Sequence, residues 1–169
     1  MIKALERLRA RRNENGFTVV ELVVVVVFIG ILTALAIPSY NTIMAHAKVQ
    51  SVISDMNLTV KYVELYKAEH GSYPTTSGWS YQGDTPNHPQ RNAYIPGVVP
   101  TIARELPITN DKNGAFLYTS NGTDYKLIRY NGNGIPKAEM SQVPDTMKDY
   151  WSTAYGDRYG YWSAGGAGL

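Results

Sequence analysis

The sequence predicts an α+β fold: one long N-terminal helix, its first half membrane-spanning, packed by its second half on a small antiparallel β-sheet. Three observations carry that expectation. Residues 17–37 are almost wholly apolar. Residues 49–66 repeat apolar side chains at steps of three and four, the helical period. Two β-rich runs, 115–119 and 125–130, flank an Asn-Gly turn, which is a hairpin signal.

The chain has 169 residues, enough for one domain of ordinary size. Its net charge of +2 does not suggest a polyanion-binding protein, and no specific nucleic-acid partner is indicated. The absence of cysteine excludes disulfides, thiolate zinc sites and cysteine nucleophiles. His46, His70 and His88 are too dispersed to predict a histidine metal site. No Ser/His/Asp arrangement, phosphate loop or H-E-x-x-H helix can be read. The sequence therefore predicts no enzyme, no catalytic residue and no cofactor.

The charge is segregated. Lys3, Arg7, Arg9, Arg11 and Arg12 face only Glu6 and Glu14 within residues 1–16, a net of +3. The other 153 residues carry 11 basic and 12 acidic side chains. As a helix, residues 17–37 reach about 32 Å at 1.5 Å per residue, matching a hydrocarbon core of about 30 Å. The preceding arginines should stay cytoplasmic and place the rest of the chain outside. A cleaved secretory signal fits less well, because its apolar run is shorter and ends in a small-residue site that is missing here.

Glu21 is the one strongly polar residue in that run, and a carboxylate within a span is costly. Two roles are open to it. Thr18-x-x-Glu21 can form a capping box at the helix start. Alternatively, Glu21 neutralises a positive group on another subunit, such as an amino terminus created by proteolysis before Phe17.

The stretch Gly16-Phe17-Thr18-Val19-Val20-Glu21 lies after a short basic leader and before the long apolar run. It resembles the prepilin signature of type IV pilins and type II secretion pseudopilins. The resemblance covers residues 12–40 and includes Pro38, where the family bends its helix. It implies that a membrane prepilin peptidase cuts between Gly16 and Phe17 and methylates the new Phe17 amine. Gly16, lacking a Cβ, lets a peptidase approach the backbone closely. The resemblance further implies that the mature subunit waits in the inner or cytoplasmic membrane and then joins an extracellular or periplasmic filament. There Glu21 meets the Phe17 amine of a neighbour. Implied partners are further copies of the chain, the peptidase, an inner-membrane platform with its ATPase, and the lipid bilayer before assembly. The first function expected is a type IV pilus subunit or similar filament subunit. A type II secretion or competence pseudopilin is the alternative within the family. A single-span anchor for a receptor or enzyme domain is the alternative from another class.

The expected organisation is a removed leader (1–16), a membrane and filament-core half-helix (17–38), an amphipathic half-helix (39–71) and a head (72–169). Pro38 should kink the helix; Gly71 and Pro74 should end it. Pilins resembling this chain often have a second proline in the soluble half, which is missing here. The stripe should bury Val52, Ile53, Met56, Val60 and Val63 against the sheet.

Residues 72–114 hold six prolines and read as a long loop with one short helix near 101–105. In the second hairpin strand Tyr125, Leu127 and Arg129 alternate with Lys126, Ile128 and Tyr130, and either set could face the helix. The tail holds Tyr150, Trp151, Tyr155, Tyr159, Tyr161 and Trp162. These rings could fill a core without disulfides or form a contact surface, and Tyr159-Gly-Tyr-Trp-Ser163 could be the last strand. Some relatives implied by the resemblance hold calcium near this end. Asp145, Asp149 and Asp157 are candidate ligands, but their spacing fits no compact calcium loop, so no metal is predicted. The glycosylation-type triplets at Asn57 and Asn121 read as chance matches.

Overall fold

The computed structural model describes residues 16–83, 90–109, 114–132, 134–150 and 156–169. The leader before Gly16 and the tail residues Trp151 and Tyr155 lie outside them. Helix α1 (Val19–His70) is followed by β1 (Ser80–Tyr81), β2 (Gly114–Ser120), β3 (Tyr125–Asn131), the short helix α2 (Lys137–Met140), β4 (Lys148–Tyr150) and β5 (Asp157–Trp162). Internal contacts divide the chain into two compact units, with the boundary after Asn41.

In the first unit α1 contains a segment long and apolar enough to cross a membrane. Each described side chain from Phe17 to Leu35 is exposed in the single chain. Thr33 turns its hydroxyl back onto the Ile29 carbonyl, at 2.7 Å, which satisfies it without a partner outside the helix.

In the second unit the expected stripe is the buried face. Val49, Val52, Met56 and Val63 are buried, and Ile53, Val60 and Tyr66 pack against the same core half-buried. Thr59 joins them fully buried. Its hydroxyl donates to the Asp55 carbonyl at 2.9 Å, so the residue behaves as a small apolar one. The helix ends as expected. The Gly71 amide closes on the Lys67 carbonyl, and Gly71 takes φ +81°, the left-handed geometry that glycine adopts without strain.

The sheet is antiparallel throughout, in the order β1-β2-β3-β5-β4. Register settles which face packs inward. Phe116, Tyr118 and Ser120 lie opposite Arg129, Leu127 and Tyr125, and Tyr159 and Tyr161 lie opposite Arg129 and Leu127. Phe116, Tyr118, Tyr125, Leu127 and Tyr159 share one core with the α1 stripe. The expected last strand lies inside the sheet, with β4 outside it as an edge. Gly160 makes this pairing possible, because a Cβ there would overlap the Leu127 carbonyl oxygen.

The expected helix at 101–105 is instead a turn. The Ile102 and Ala103 amides both close on the Val98 carbonyl, and Pro100 and Pro107 prevent that single turn from growing. Packing orders the described part of the loop. Tyr94, Ile95, Val98 and Leu106 are core residues. The buried Gln82 side chain donates to the Thr109 carbonyl at 2.7 Å and accepts from the Thr109 amide at 2.8 Å.

This core is unusually phenolic. Burial raises the pKa of Tyr73 to about 12 and pushes those of Tyr94, Tyr118, Tyr125 and Tyr159 higher. Unfolded tyrosines ionise near about 10. A pKa raised by folding stabilises the head fully below that value, and the stability is lost as pH rises through the folded range. The tyrosine contribution to stability should therefore be constant up to about pH 10 and fall above it. In an alkaline titration the buried set should ionise in one step together with the loss of sheet circular dichroism. Complete tyrosine ionisation with the sheet signal intact would contradict this.

Candidate assembly site

The residues expected to be processed and to direct assembly lie at the start of α1. Gly16, Phe17 and Thr18 precede the helix and are exposed, Phe17 at 88%. Thr18 and Glu21 form the reciprocal capping box. The Thr18 amide donates to Glu21 Oε2 at 2.9 Å, and the Thr18 hydroxyl donates to the same oxygen at 2.8 Å. The Glu21 amide donates back to Thr18 Oγ1 at 3.2 Å. The first helical bond then runs from the Leu22 amide to the Thr18 carbonyl. All three bonds use Oε2 or the Thr18 hydroxyl, so Oε1 is left open to another donor among the described residues. The two roles of Glu21 are therefore compatible. At Pro38 the backbone is helical.

In the head the other sequence candidates have separate partners or are exposed. Asp145 pairs with Lys148 at 2.6 Å, and that ammonium holds its carboxyl below the usual range. Asp149 Oδ2 lies 3.2 Å from Lys126 and 3.6 Å from Arg158, and Asp157 is exposed. Among the described residues no three His, Cys, Asp or Glu side chains come together as metal ligands. His46 is exposed; His70 stacks on Tyr66, ring centroids 4.0 Å apart. Asn121 closes the hairpin turn, its Oδ1 accepting from the Thr123 and Asp124 amides. Tyr159 is in the core and Tyr161 packs against it, so these two tail rings take the core-filling one of the two roles open to them.

Sequence reasoning missed two buried charge clusters. Lys126 lies on the outer sheet face, 3% exposed, and donates to the Ala167 carbonyl at 3.0 Å besides pairing with Asp149. Glu139 on α2 lies 3.0 Å from Lys48 of α1 and 3.7 Å from Arg129 of β3, and accepts from the Tyr159 hydroxyl at 2.8 Å. Only the strand positions of Lys126 and Arg129, inside an otherwise apolar and aromatic run, could have signalled them.

No family model matches the chain, and no solved structure is significantly similar to it. Characterised relatives do match. The type II secretion system core protein G of Klebsiella michiganensis is 33% identical over 145 residues, covering 82% of this chain and 92% of that protein. The protein of the same name from Pseudomonas aeruginosa is 38% identical over 66 residues, covering 39% of this chain and 46% of that protein. The fimbrial protein EcpB of Eikenella corrodens is 42% identical over 63 residues, covering 37% of this chain and 39% of that protein. The chain thus spans less than half of the latter two and nearly all of the first. An exposed apolar helix with a capped acid at its start, a β-sheet packed on its second half and a relative matched almost end to end lead to one conclusion: the chain belongs to the family of type IV pilins and type II secretion pseudopilins.

Proposed function

We propose that this protein is made as a precursor, is cut between Gly16 and Phe17 by a membrane prepilin peptidase that methylates the new amine, and is built into a filament through α1. The single observation that supports this best is the start of the helix. Phe17 is exposed and outside α1, directly before a capping box whose acid keeps one oxygen open. A peptidase needs an accessible backbone outside the helix, and Gly16-Phe17 offers one. Before assembly the apolar half-helix sits in the bilayer, with residues 1–16 on the cytoplasmic side until their removal. After assembly the same surface is covered by other copies, and Glu21 Oε1 accepts from a neighbour's Phe17 ammonium. Such a pair is a poor source of net stability but a good source of register. Pro38 cannot donate an amide to the helix, so it is the natural place for α1 to bend between its membrane half and residues 39–71. The head, 72–169, coats the filament.

The chain itself has no catalytic role in this reading; the peptidase, an inner-membrane platform and an ATPase supply the chemistry and the work. The end-to-end match to a secretion core protein favours a secretion filament, while the fimbrial relative fits a pilus. In either case the subunit is structural.

The test is the intact mass and first residue of the protein recovered from its native cell. The expected chain starts at N-methyl-Phe17. Gly16→Leu should leave an uncut, membrane-held precursor and no filaments. Filaments built from chains that still carry residues 1–16 would overturn the reading and favour a plain single-span anchor.

A further inference from the structure

The outer face of the second half of α1 carries a charge pattern that the head does not use. Leu58 and Leu65 are exposed there, at 41% and 46%, one heptad apart on one line of the helix. At about 100° per residue, Asp55 and Lys61 lie about 60° to either side of Leu58. Neither side chain makes an ion pair or side-chain hydrogen bond within the described residues, although Asp55 is half-buried and Lys61 is exposed. The Asp55 flank opens into a hollow of about 540 Å³ lined by Asp55, Leu58, Tyr62, Asn92, Glu105 and Ile108 among others. This hollow is acidic and poorly satisfied. Burial holds the Asp55 carboxyl above its ordinary pKa. The Asn92 amide donates to Glu105 at 3.0 Å, and its Oδ1 is buried with no hydrogen-bond partner. A hollow with two carboxylates fits an ammonium group.

We propose that this hollow is the socket for Lys61 of the next copy of the chain in the filament. The proposal rests on the filament reading and adds a contact at head level. Copies anchored in one membrane run parallel, and a filament needs a contact that repeats from copy to copy, not one that closes on itself about a two-fold axis along the chains. A heterologous contact, one flank against the opposite flank of the neighbour, is what remains, and such contacts repeat into open helical assemblies. Bringing Lys61 level with the neighbour's Asp55 takes an axial shift of six residues, about 9 Å. A shift of seven residues, about 10 Å, lays the neighbour's Leu58 on Leu65. The reach of a lysine side chain absorbs the difference.

Carbodiimide treatment of filaments sheared from cells is the direct test. The reagent is converted to its urea as a carboxyl and an amine lose water and form an amide. Filaments assembled from a pool of subunits made first on light and then on heavy nitrogen should yield a peptide joining Lys61 to Asp55 or Glu105, with one isotope on each side. Asp55→Lys or Lys61→Glu alone should reduce filament yield by about tenfold or more through like-charge contact. The double exchange should return it to within about twofold of the wild type. Cleavage before Phe17 and membrane insertion should be normal in all three variants. Well-formed wild-type filaments in which Lys61 stays unlinked, or single variants that assemble at the normal yield, overturn the socket and leave the filament reading intact. Wild-type chains that never assemble overturn both.

Discussion

With glutamine in place of Glu21, the subunit should still be cut, inserted and folded, but its incorporation into filaments should fall by about a hundredfold or more. Glutamine separates the two roles of this side chain. It has the same length and is accepted at the third position of a capping box, so the bonds from the Thr18 amide and hydroxyl can persist. What it lacks is the charge that meets a neighbour's ammonium. If capping were the whole function, Glu21→Gln would assemble like the wild type and only Glu21→Val would lose the cap. If the intermolecular pair matters, both should fail alike, because each leaves a buried ammonium in the filament without its counter-charge. The measurement is the ratio of filament-borne to membrane-held subunit in cells making wild-type and variant chains together. Equal ratios for Glu21→Gln and the wild type would sink the charge-pairing role.

How much could be read before the structure depended on how local each signal was. The apolar run, the α1 stripe and the Asn-Gly hairpin are written in neighbouring residues. Each survives, with β2 and β3 within a residue of the expected runs. The capping box is equally local, since Thr18 and Glu21 are one helical turn apart. The inward face of β3 was not legible, because Arg129 shares it with Tyr125 and Leu127. Only the register against Phe116 and Tyr159 shows that this arginine is a core residue. The strands β1 and β4, two and three residues long, are defined by partners and carry no alternation of their own. At 101–105 helix-compatible residues were overruled by flanking prolines. Of the three aspartates weighed as calcium ligands, the structure gives two to separate lysine and arginine partners. Pairing over long sequence distances was the common blind spot, and the cluster around Glu139 is its clearest case.

Glu139→Ala should destabilise the head by about 3–5 kcal/mol, the range for removing one partner of a buried ion pair. The carboxylate is 2% exposed and sits among α2, α1, β3 and β5. Arg129 is fully buried, so its charge cannot turn to water when the carboxylate goes. Lys48 is 38% exposed at its side chain and can be solvated, so it should account for less of the loss. The Tyr159 hydroxyl also loses its acceptor in the core. Glu139→Gln should fall between the wild type and Glu139→Ala, because an amide oxygen still accepts from Tyr159 but brings no charge. The decisive variant combines Arg129→Met with Glu139→Met. If the cost comes from a buried guanidinium that has lost this carboxylate, removing both charges should be less damaging than Glu139→Ala alone, since well-packed apolar replacements of buried pairs are often neutral. If Glu139 acted only by filling space, the double variant would be at least as unstable as the single one. Urea unfolding of the full chain in detergent, followed by the sheet signal, distinguishes these outcomes. Loss of Glu139 should also loosen β5 first, because Tyr159 ties that strand to the cluster. Amide exchange at Arg158–Gly160 should then rise before exchange in β2.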